Sequence, residues 1–337
     1  MQNIYRKLIL FATCLTFGIV VLGAFVRLSD AGLGCPDWPG CYGHIGVPEA
    51  AHDVAQAEQA FPGKPVEARK GWIEMAHRYF ASSLGLLILI IAFLAYKNRQ
   101  QFQQTIGLPI ALAGVVIFQG LLGMWTVTLL LKPAIVTAHL IGGMTLLALL
   151  TWFMLRQYEQ AGKPRIIVAE SLTWHARIAL IVLTCQIILG GWVSTNYAAL
   201  ACVDFPTCNK SMVPQMDFAN AFHLLRDLGM TAQGAALSHE ALTAIHWSHR
   251  LGALIVTLVL ASLALRMLKV NELKKAARML LAVLVLQISL GITIVLTSLP
   301  LPLAVMHSAF AALLLVTMVI INFRMAPETR STRLANA

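Results

Sequence analysis

Two short clusters hold the side chains best able to do chemistry. One is Glu74-Met75-Ala76-His77-Arg78; the other, 172 residues on (77 to 249), is His246-Trp247-Ser248-His249-Arg250. Each stands where a polar loop runs into a long apolar stretch, and His139 and His307 open two further apolar stretches in the same way. An ionisable group at the mouth of a membrane span is costly to keep there, so it marks function by default. Imidazole nitrogens suit iron, copper or zinc. Two imidazoles at one depth on separate helices, with no carboxylate ligand nearby, suit a planar tetradentate macrocycle whose iron keeps its axial bonds for side chains. On this reading each half of the chain holds one heme, between His77 and His139 in the first and between His249 and His307 in the second. Arg78 and Arg250 follow directly, and guanidinium groups suit heme propionates. His246 remains an alternative ligand to His249.

The two clusters differ at one position. Glu74 shares a helix face with His77 three residues on, and its counterpart is His246. A carboxylate beside one heme only assigns the chemistry to the first half and electron transfer or storage to the second. There it accepts a proton or stabilises a developing cation. His44, His52, His175, His223 and His239 lie in loops or at span ends and read as solvated.

Two cysteine pairs share the form C-x-D-aromatic-P-x-C: Cys35-Pro-Asp-Trp-Pro-Gly-Cys41 and Cys202-Val-Asp-Phe-Pro-Thr-Cys208. In an oxidising outer compartment they are expected to form the local disulfides Cys35–Cys41 and Cys202–Cys208. Either the bond staples a loop or, for the first pair, it is redox-active beside the site. The spacing is not that of a zinc knuckle. Cys14 and Cys185 sit in apolar runs and read as buried and inert.

The elements that must position these residues follow from composition. The chain has 337 residues, 58% hydrophobic and only 12% charged, against about 25% charged in a soluble domain. Eight apolar runs, near 8–26, 75–96, 105–131, 134–155, 177–194, 241–265, 277–299 and 303–323, are each long enough to cross a bilayer as a helix. The alternation of a spanning strand is missing. The net charge of +10 falls mostly in short segments, while the long loops 27–74 and 195–240 are poor in bases. The positive-inside rule therefore puts both termini in the cytoplasm and both long loops outside, and no nucleic acid is needed to explain the charge. The first run is kept as a span, because Arg27-Leu28-Ser29-Asp30 follows it where a leader would have a small-residue cleavage site.

The chain repeats itself. Leu22-Gly23-Ala24-Phe25-Val26 matches Leu189-Gly190-Gly191-Trp192-Val193, and the match runs without a gap through both cysteine loops. Further on, Gln119 matches Gln287, Gly123 matches Gly291 and His139 matches His307. The halves are 1–165 and 166–337, four spans each, joined by a linker at 157–165 with Gly162 and Pro164 as breakers. Four spans per half give both halves the same orientation, hence a pseudo-two-fold axis along the membrane normal. Gly23, Gly123, Gly142, Gly143, Gly190, Gly191 and Gly291 read as helix-packing residues. The fold class expected is an all-α integral membrane protein of eight transmembrane helices in two pseudo-symmetric four-helix bundles.

Nearly the whole chain, from Gly23 to about His307, resembles the heme A synthase family of bacterial membrane enzymes that oxidise heme O to heme A. The resemblance rests on Glu74-Met75-Ala76-His77-Arg78, His249-Arg250, His139, His307, the Arg27…Gly32-Leu33-Gly34-Cys35 stretch and both cysteine loops. It implies a heme b cofactor between His249 and His307, with Arg250 nearby. It implies a heme O substrate at His77 and His139, with Arg78 nearby and Glu74 as the catalytic carboxylate. The implied reaction takes the C8 methyl of heme O to a formyl in successive hydroxylations, with water as the oxygen source. Cys35 and Cys41 match a first-loop pair linked to heme handling. Implied partners are the heme O synthase that attaches the farnesyl tail, an unknown electron acceptor, and a terminal oxidase receiving the product. The location would be the bacterial inner membrane, with the heme sites toward the outer side. The alternatives are a quinol-linked di-heme b-type electron carrier and, from the repeat alone, a transporter.

Overall fold

The computed structural model describes residues 2–102, 105–159 and 165–327. The linker breakers Gly162 and Pro164 lie outside them. Eight long helices dominate: α1 (Gln2–Leu28), α3 (Ala68–Lys97), α4 (Gly107–Thr128), α5 (Pro133–Glu159), α6 (Glu170–Thr195), α8 (His239–Met267), α9 (Lys274–Leu296) and α10 (Leu301–Arg324). Two short helices, α2 (Ala51–Ala60) and α7 (Phe218–Ala221), lie in the long loops. All eight long helices are apolar and long enough to cross a membrane, and the chain is a multi-pass membrane protein.

The helices outrun the apolar runs that announce them. Hydropathy marks only what lipid requires, whereas backbone hydrogen bonding continues as far as loops pack around it. Thus α3 begins at Ala68 rather than near Met75, and α6 at Glu170 rather than near Arg177. At 1.5 Å per residue His77 and His249 lie about 14 Å from the starts of α3 and α8. His139 and His307 lie about 9 Å from theirs.

In the first half α1, α3, α4 and α5 form a closed ring in which each helix touches the next. In the second half α6, α8, α9 and α10 do the same. The rings meet through α1 with α10, α5 with α6, and α5 with α10. Away from the long loops each ring is filled with side chains: Tyr5, Ile9, Ile88, Ile91 and Leu150 in the first, Leu260, Leu263, Met267, Leu280 and Met318 in the second. Met144, Leu147, Ala312 and Leu315 fill the seam. Lipid tails are as apolar as these residues, so close contact rather than water exclusion holds the rings together. For the same reason an apolar run does not imply burial. Cys14 and Cys185, expected inside, are exposed on the flanks of α1 and α6. A three-residue parallel ladder, Ile166–Val168 on Met325–Pro327, ties the start of the second half to the end of α10; nothing in the hydropathy pattern announces it.

At the end that carries the long loops, helices stop on non-glycine residues in the left-handed region. Asp30 and Tyr197 have φ of 53° and 54° after α1 and α6, and Leu131 and Leu299 have 57° and 63° after α4 and α9. Each costs about 1–3 kcal/mol unless its surroundings hold it. The Leu131 N–H donates to Thr126 O and the Leu299 N–H to Ile294 O, both at 2.8 Å, closing the last turns of α4 and α9. Between the halves at this end, Arg27 donates to the Ser194 carbonyl (2.7 Å) and stacks over the Tyr197 ring (3.9 Å). The Tyr197 hydroxyl donates to Asp30 Oδ1 (2.7 Å), and Lys132 pairs with Asp227 (3.1 Å).

Candidate functional site

Within each ring the two histidine-bearing helices are not neighbours: α3 and α5 stand across the first ring, α8 and α10 across the second. Each pair of histidines thus faces the middle of its bundle. The His77 and His139 rings have centres 6.5 Å apart and planes at 66°. Two imidazole–metal bonds in line, each of about 2 Å, put ring centres roughly 6 Å apart. The rings already stand at the separation a shared iron requires. His139 Nδ1 and His307 Nδ1 are buried without a hydrogen-bond partner, as expected of rings whose surroundings are completed by a bound group. Among the described residues no cluster of three or more His, Cys, Asp or Glu is placed to hold a bare ion, so the donor sets fit a macrocyclic iron that needs only axial ligands.

Glycines make the room. A Cβ on Gly23 would lie 3.0 Å from His77 Nε2, and one on Gly123 would lie 3.4 Å from His139 Cε1. Gly190 and Gly291 stand in the same way against His249 and His307, both at 3.1 Å. Four of the glycines read from sequence as packing residues therefore serve the histidines. Gln119 Nε2 donates to His139 O (2.9 Å), and Gln287 Nε2 lies 3.2 Å from His307 Nε2.

Above the histidines sit the cysteine loops. Both expected disulfides are formed, Cys35–Cys41 and Cys202–Cys208. The loops are built alike. Asp37 Oδ1 accepts from Tyr42 N (2.6 Å) and Oδ2 from Gly43 N (2.8 Å); Asp204 accepts in the same way from Asn209 N (2.6 Å) and Lys210 N (2.9 Å). The Thr207 hydroxyl and these backbone N–H groups hold the Asp204 carboxyl below its usual range. Burial, then the nearby Glu58, pushes the Tyr42 phenol up, so it stays a donor to Pro65 O at 2.8 Å.

Glu74 is 5% exposed, and both its oxygens are engaged. Oε2 accepts from the Cys35 N–H (2.9 Å) and Oε1 from Arg78 Nη2 (2.5 Å). Gly34 allows this approach, since a Cβ there would strike the Lys70 backbone at 2.6 Å. His246 stands in the same place in the second half: Nδ1 accepts from the Cys202 N–H (3.3 Å), and Nε2, which then carries the ring proton, lies 3.3 Å from Arg250 Nε without accepting from it. Both ring nitrogens of His246 thus face the cysteine loop and its arginine.

The arginines are bound to backbone. Arg78 Nη1 donates to the carbonyls of Asp37 (3.0 Å), Pro39 (3.2 Å) and Gly40 (2.5 Å). Arg250 donates to those of Asp204 (2.8 Å), Thr207 (2.8 Å) and Cys202 (3.0 Å). Five donors on a rigid fork suit several carbonyls at once. These contacts clamp each cysteine loop over its histidine pair, a task that sequence spacing alone did not reveal. His175, by contrast, lies near the opposite end of its bundle beside Ser262 (3.3 Å) and Arg266 (3.2 Å), apart from both histidine pairs.

Residues 6–319 match the COX15-CtaA family, described as cytochrome oxidase assembly protein. A heme A synthase of Shewanella oneidensis is 44% identical over 322 residues, covering 94% of this chain and 95% of that protein. Proteins of the same name from a Caulobacter species and from Halalkalibacterium halodurans are 30% and 27% identical over at least 90% of both chains in each comparison. With a match that runs through both histidine pairs and both cysteine loops, this chain belongs to the COX15-CtaA family of cytochrome oxidase assembly proteins.

Proposed function

We propose that the chain is a heme A synthase whose first half, residues 1–165, oxidises heme O and whose second half, 166–337, holds heme b. The observation that carries this reading is Glu74. It is a buried carboxylate on the histidine helix of one half, where the other half has His246 doing the same structural work. Family membership supplies the substrate class.

Taking the C8 methyl of heme O to a formyl with the oxygen of water releases electrons and protons in equal number, so the site needs a proton acceptor and an electron outlet. His77 and His139 hold the substrate iron and fix the plane of the macrocycle. Glu74, one helical turn from His77, keeps a negative charge where positive charge develops. It takes up a proton when its pair with Arg78 opens. The Cys35–Cys41 loop closes over this carboxylate and limits water. Heme b, held by His249 and His307, would supply one-electron transfer beside the substrate, and an external acceptor takes the electrons on. The halves are related by a pseudo-two-fold axis along the membrane normal, a reading supported by equivalent interfaces (α1 with α10, α5 with α6). The loop end faces outward from a bacterial inner membrane and both termini face the cytoplasm. Substrate comes from a heme O synthase, and product goes to a terminal oxidase.

The test is to express the chain alone and with a heme O synthase, then extract the bound hemes. Heme b from the first sample and added heme O and heme A from the second are expected. Glu74→Ala should keep heme b and lose heme A. Undiminished heme A from that variant removes Glu74 from the chemistry, and two hemes b per chain with no heme A points to an electron carrier.

A further inference from the structure

At the end of the second bundle away from the cysteine loops, four polar side chains meet on the outer flank. Arg266, one residue before the end of α8, and Ser262, one turn earlier, face Ser171 and His175 near the start of α6. Arg266 Nη2 donates to Ser171 Oγ (2.9 Å), and Nη1 donates to Ser171 O (3.5 Å) and to His175 Nδ1 (3.2 Å). A guanidinium only donates, so Nδ1 accepts and the ring proton sits on Nε2. His175 Nε2 in turn donates to Ser262 Oγ (3.3 Å), whose own hydrogen goes to Val259 O (3.0 Å). Every link in this chain is satisfied, and together they fix the plane of the guanidinium.

These contacts use both hydrogens of Nη1 and one of Nη2. Among the described residues, Nε–H and the second Nη2 hydrogen have no protein partner, no carboxylate is paired with Arg266, and the side chain is exposed. The two free hydrogens lie side by side on one edge of the guanidinium, the fork that takes two oxygens of one phosphate. Arg177, stacked on Trp174 (4.8 Å), and Lys269, three residues on from Arg266, add positive charge at this end. Glu170, the acid next to Ser171, lies against the Trp174 indole, Oε1 to Nε1 3.4 Å.

Toward the middle of the span the same flank is apolar and exposed: Ile178 and Ile181 on α6, Leu258 and Leu254 on α8. They continue from His175 and Ser262 at intervals of three or four residues, so they extend the strip on which the network sits. The first half has no such network. The repeat matches Ser171, His175, Ser262 and Arg266 to Ile4, Leu8, Ile90 and Leu94, all apolar, whereas Lys269 matches Lys97. A basic residue at this end is common to both halves; the oriented fork belongs to one.

We propose that this flank of α6 and α8 binds one anionic phospholipid, its phosphate on the Nε–Nη2 edge of Arg266 and an acyl chain along the apolar strip. The strip selects a lipid over a free phosphate, which has nothing to lay there. The neighbouring basic residues favour a headgroup that carries no cation of its own.

The experiment titrates the full-length purified protein in detergent with dioleoylphosphatidylglycerol or dioleoylphosphatidylcholine and counts bound lipids by native mass spectrometry. Thermal unfolding without added lipid checks that each variant is folded. The wild type should take its first phosphatidylglycerol more tightly than phosphatidylcholine. Arg266→Leu should weaken that first phosphatidylglycerol by about 5-fold or more, the worth of one basic residue at an anionic surface, and leave phosphatidylcholine unchanged. Arg266→Lys, which keeps the charge without the fork, should recover only part of the loss. His175→Leu, which releases the guanidinium from its plane, should lose less than Arg266→Leu. Lys97→Leu, which removes a basic residue from the first half, should leave the first phosphatidylglycerol in place. Equal losses in Arg266→Leu and Lys97→Leu, or wild-type binding by Arg266→Lys, overturn the proposal. So does displacement of the lipid by excess inorganic phosphate, which would mark a site for free anions.

Discussion

The loop end of the first half and that of the second are built to one plan and differ in charge at one buried position, Glu74 against His246. In both, an aspartate caps a disulfide loop, an arginine clamps its carbonyls, and a side chain three residues before the histidine holds the N–H of the first cysteine. In the first half that side chain is a carboxylate, in the second an imidazole. Either accepts the hydrogen bond, so the structural task does not choose between them. What differs is the charge left behind. Beside Arg78 a carboxylate makes an ion pair; beside Arg250 an imidazole leaves the guanidinium without an anion. A residue that is interchangeable as scaffold and distinct as an electrolyte is where a duplicated fold divides its labour.

Exchanging these residues is the most direct way to break the comparison. Glu74→His should keep the Cys35 N–H satisfied and the protein folded. Heme A formation should fall by roughly 100-fold or more, the scale of a lost acid–base group; extracted hemes measure it. Wild-type output would mean that the carboxylate is scaffold only. His249→Ala should empty the second half of heme b and stop turnover, whereas His77→Ala should leave the heme b spectrum intact while heme A disappears; optical spectra of the purified variants separate the two. Arg78→Ala and Arg250→Ala should each cost on the order of 3 kcal/mol, since both leave buried carbonyls unpaired. Thermal unfolding should rank them alike if the loops are equivalent. Removing Cys202–Cys208 by a double serine substitution should cost about 2 kcal/mol for so short a loop and spare heme A output. Removing Cys35–Cys41 should cost the same stability and reduce output as well, because Cys35 N–H holds Glu74. The smallest effect belongs to the seam. Burial, then the bond to Asp30, raises the Tyr197 phenol above its ordinary 10.0. The folded state therefore keeps a proton that the unfolded chain loses, so its contribution is full below pH 10 and fades as pH climbs toward the raised value. Tyr197→Phe should flatten that alkaline slope in melting temperature.

Much of this was legible before any coordinates. Eight spans, the two cysteine loops and the four histidines stand out because lipid solubility and metal ligation each demand particular residue types at particular intervals. The resemblance of the clusters to one family supplied the substrate. The helices run past the apolar spans because hydropathy stops at the lipid boundary and the helix does not. Arg78 and Arg250 were assigned to propionates from charge alone; their carbonyl partners come from loops some forty residues away and leave no mark in sequence. Glu74 and His246 were matched correctly, yet their shared hold on a cysteine N–H is a backbone contact that side-chain identity does not encode.

The contacts at the seam carry a history. Arg27 meets Ser194, and Asp30 meets Tyr197, each pair separated by 167 residues, the interval by which the first cysteine loop reappears as the second. On the two-fold arrangement proposed above, such pairs lie at the axis, where a dimer of identical subunits must set each residue against its own copy. A homodimeric ancestor with the first-half sequence would have put Asp30 against Asp30 and Arg27 against Arg27, two like-charge encounters at the centre of its interface. Fusion of a duplicated gene lifts that restriction: once both copies travel in one polypeptide, each side of the axis mutates alone. The junction then becomes asymmetric and adhesive, and one copy is released to specialise while the other stays a support.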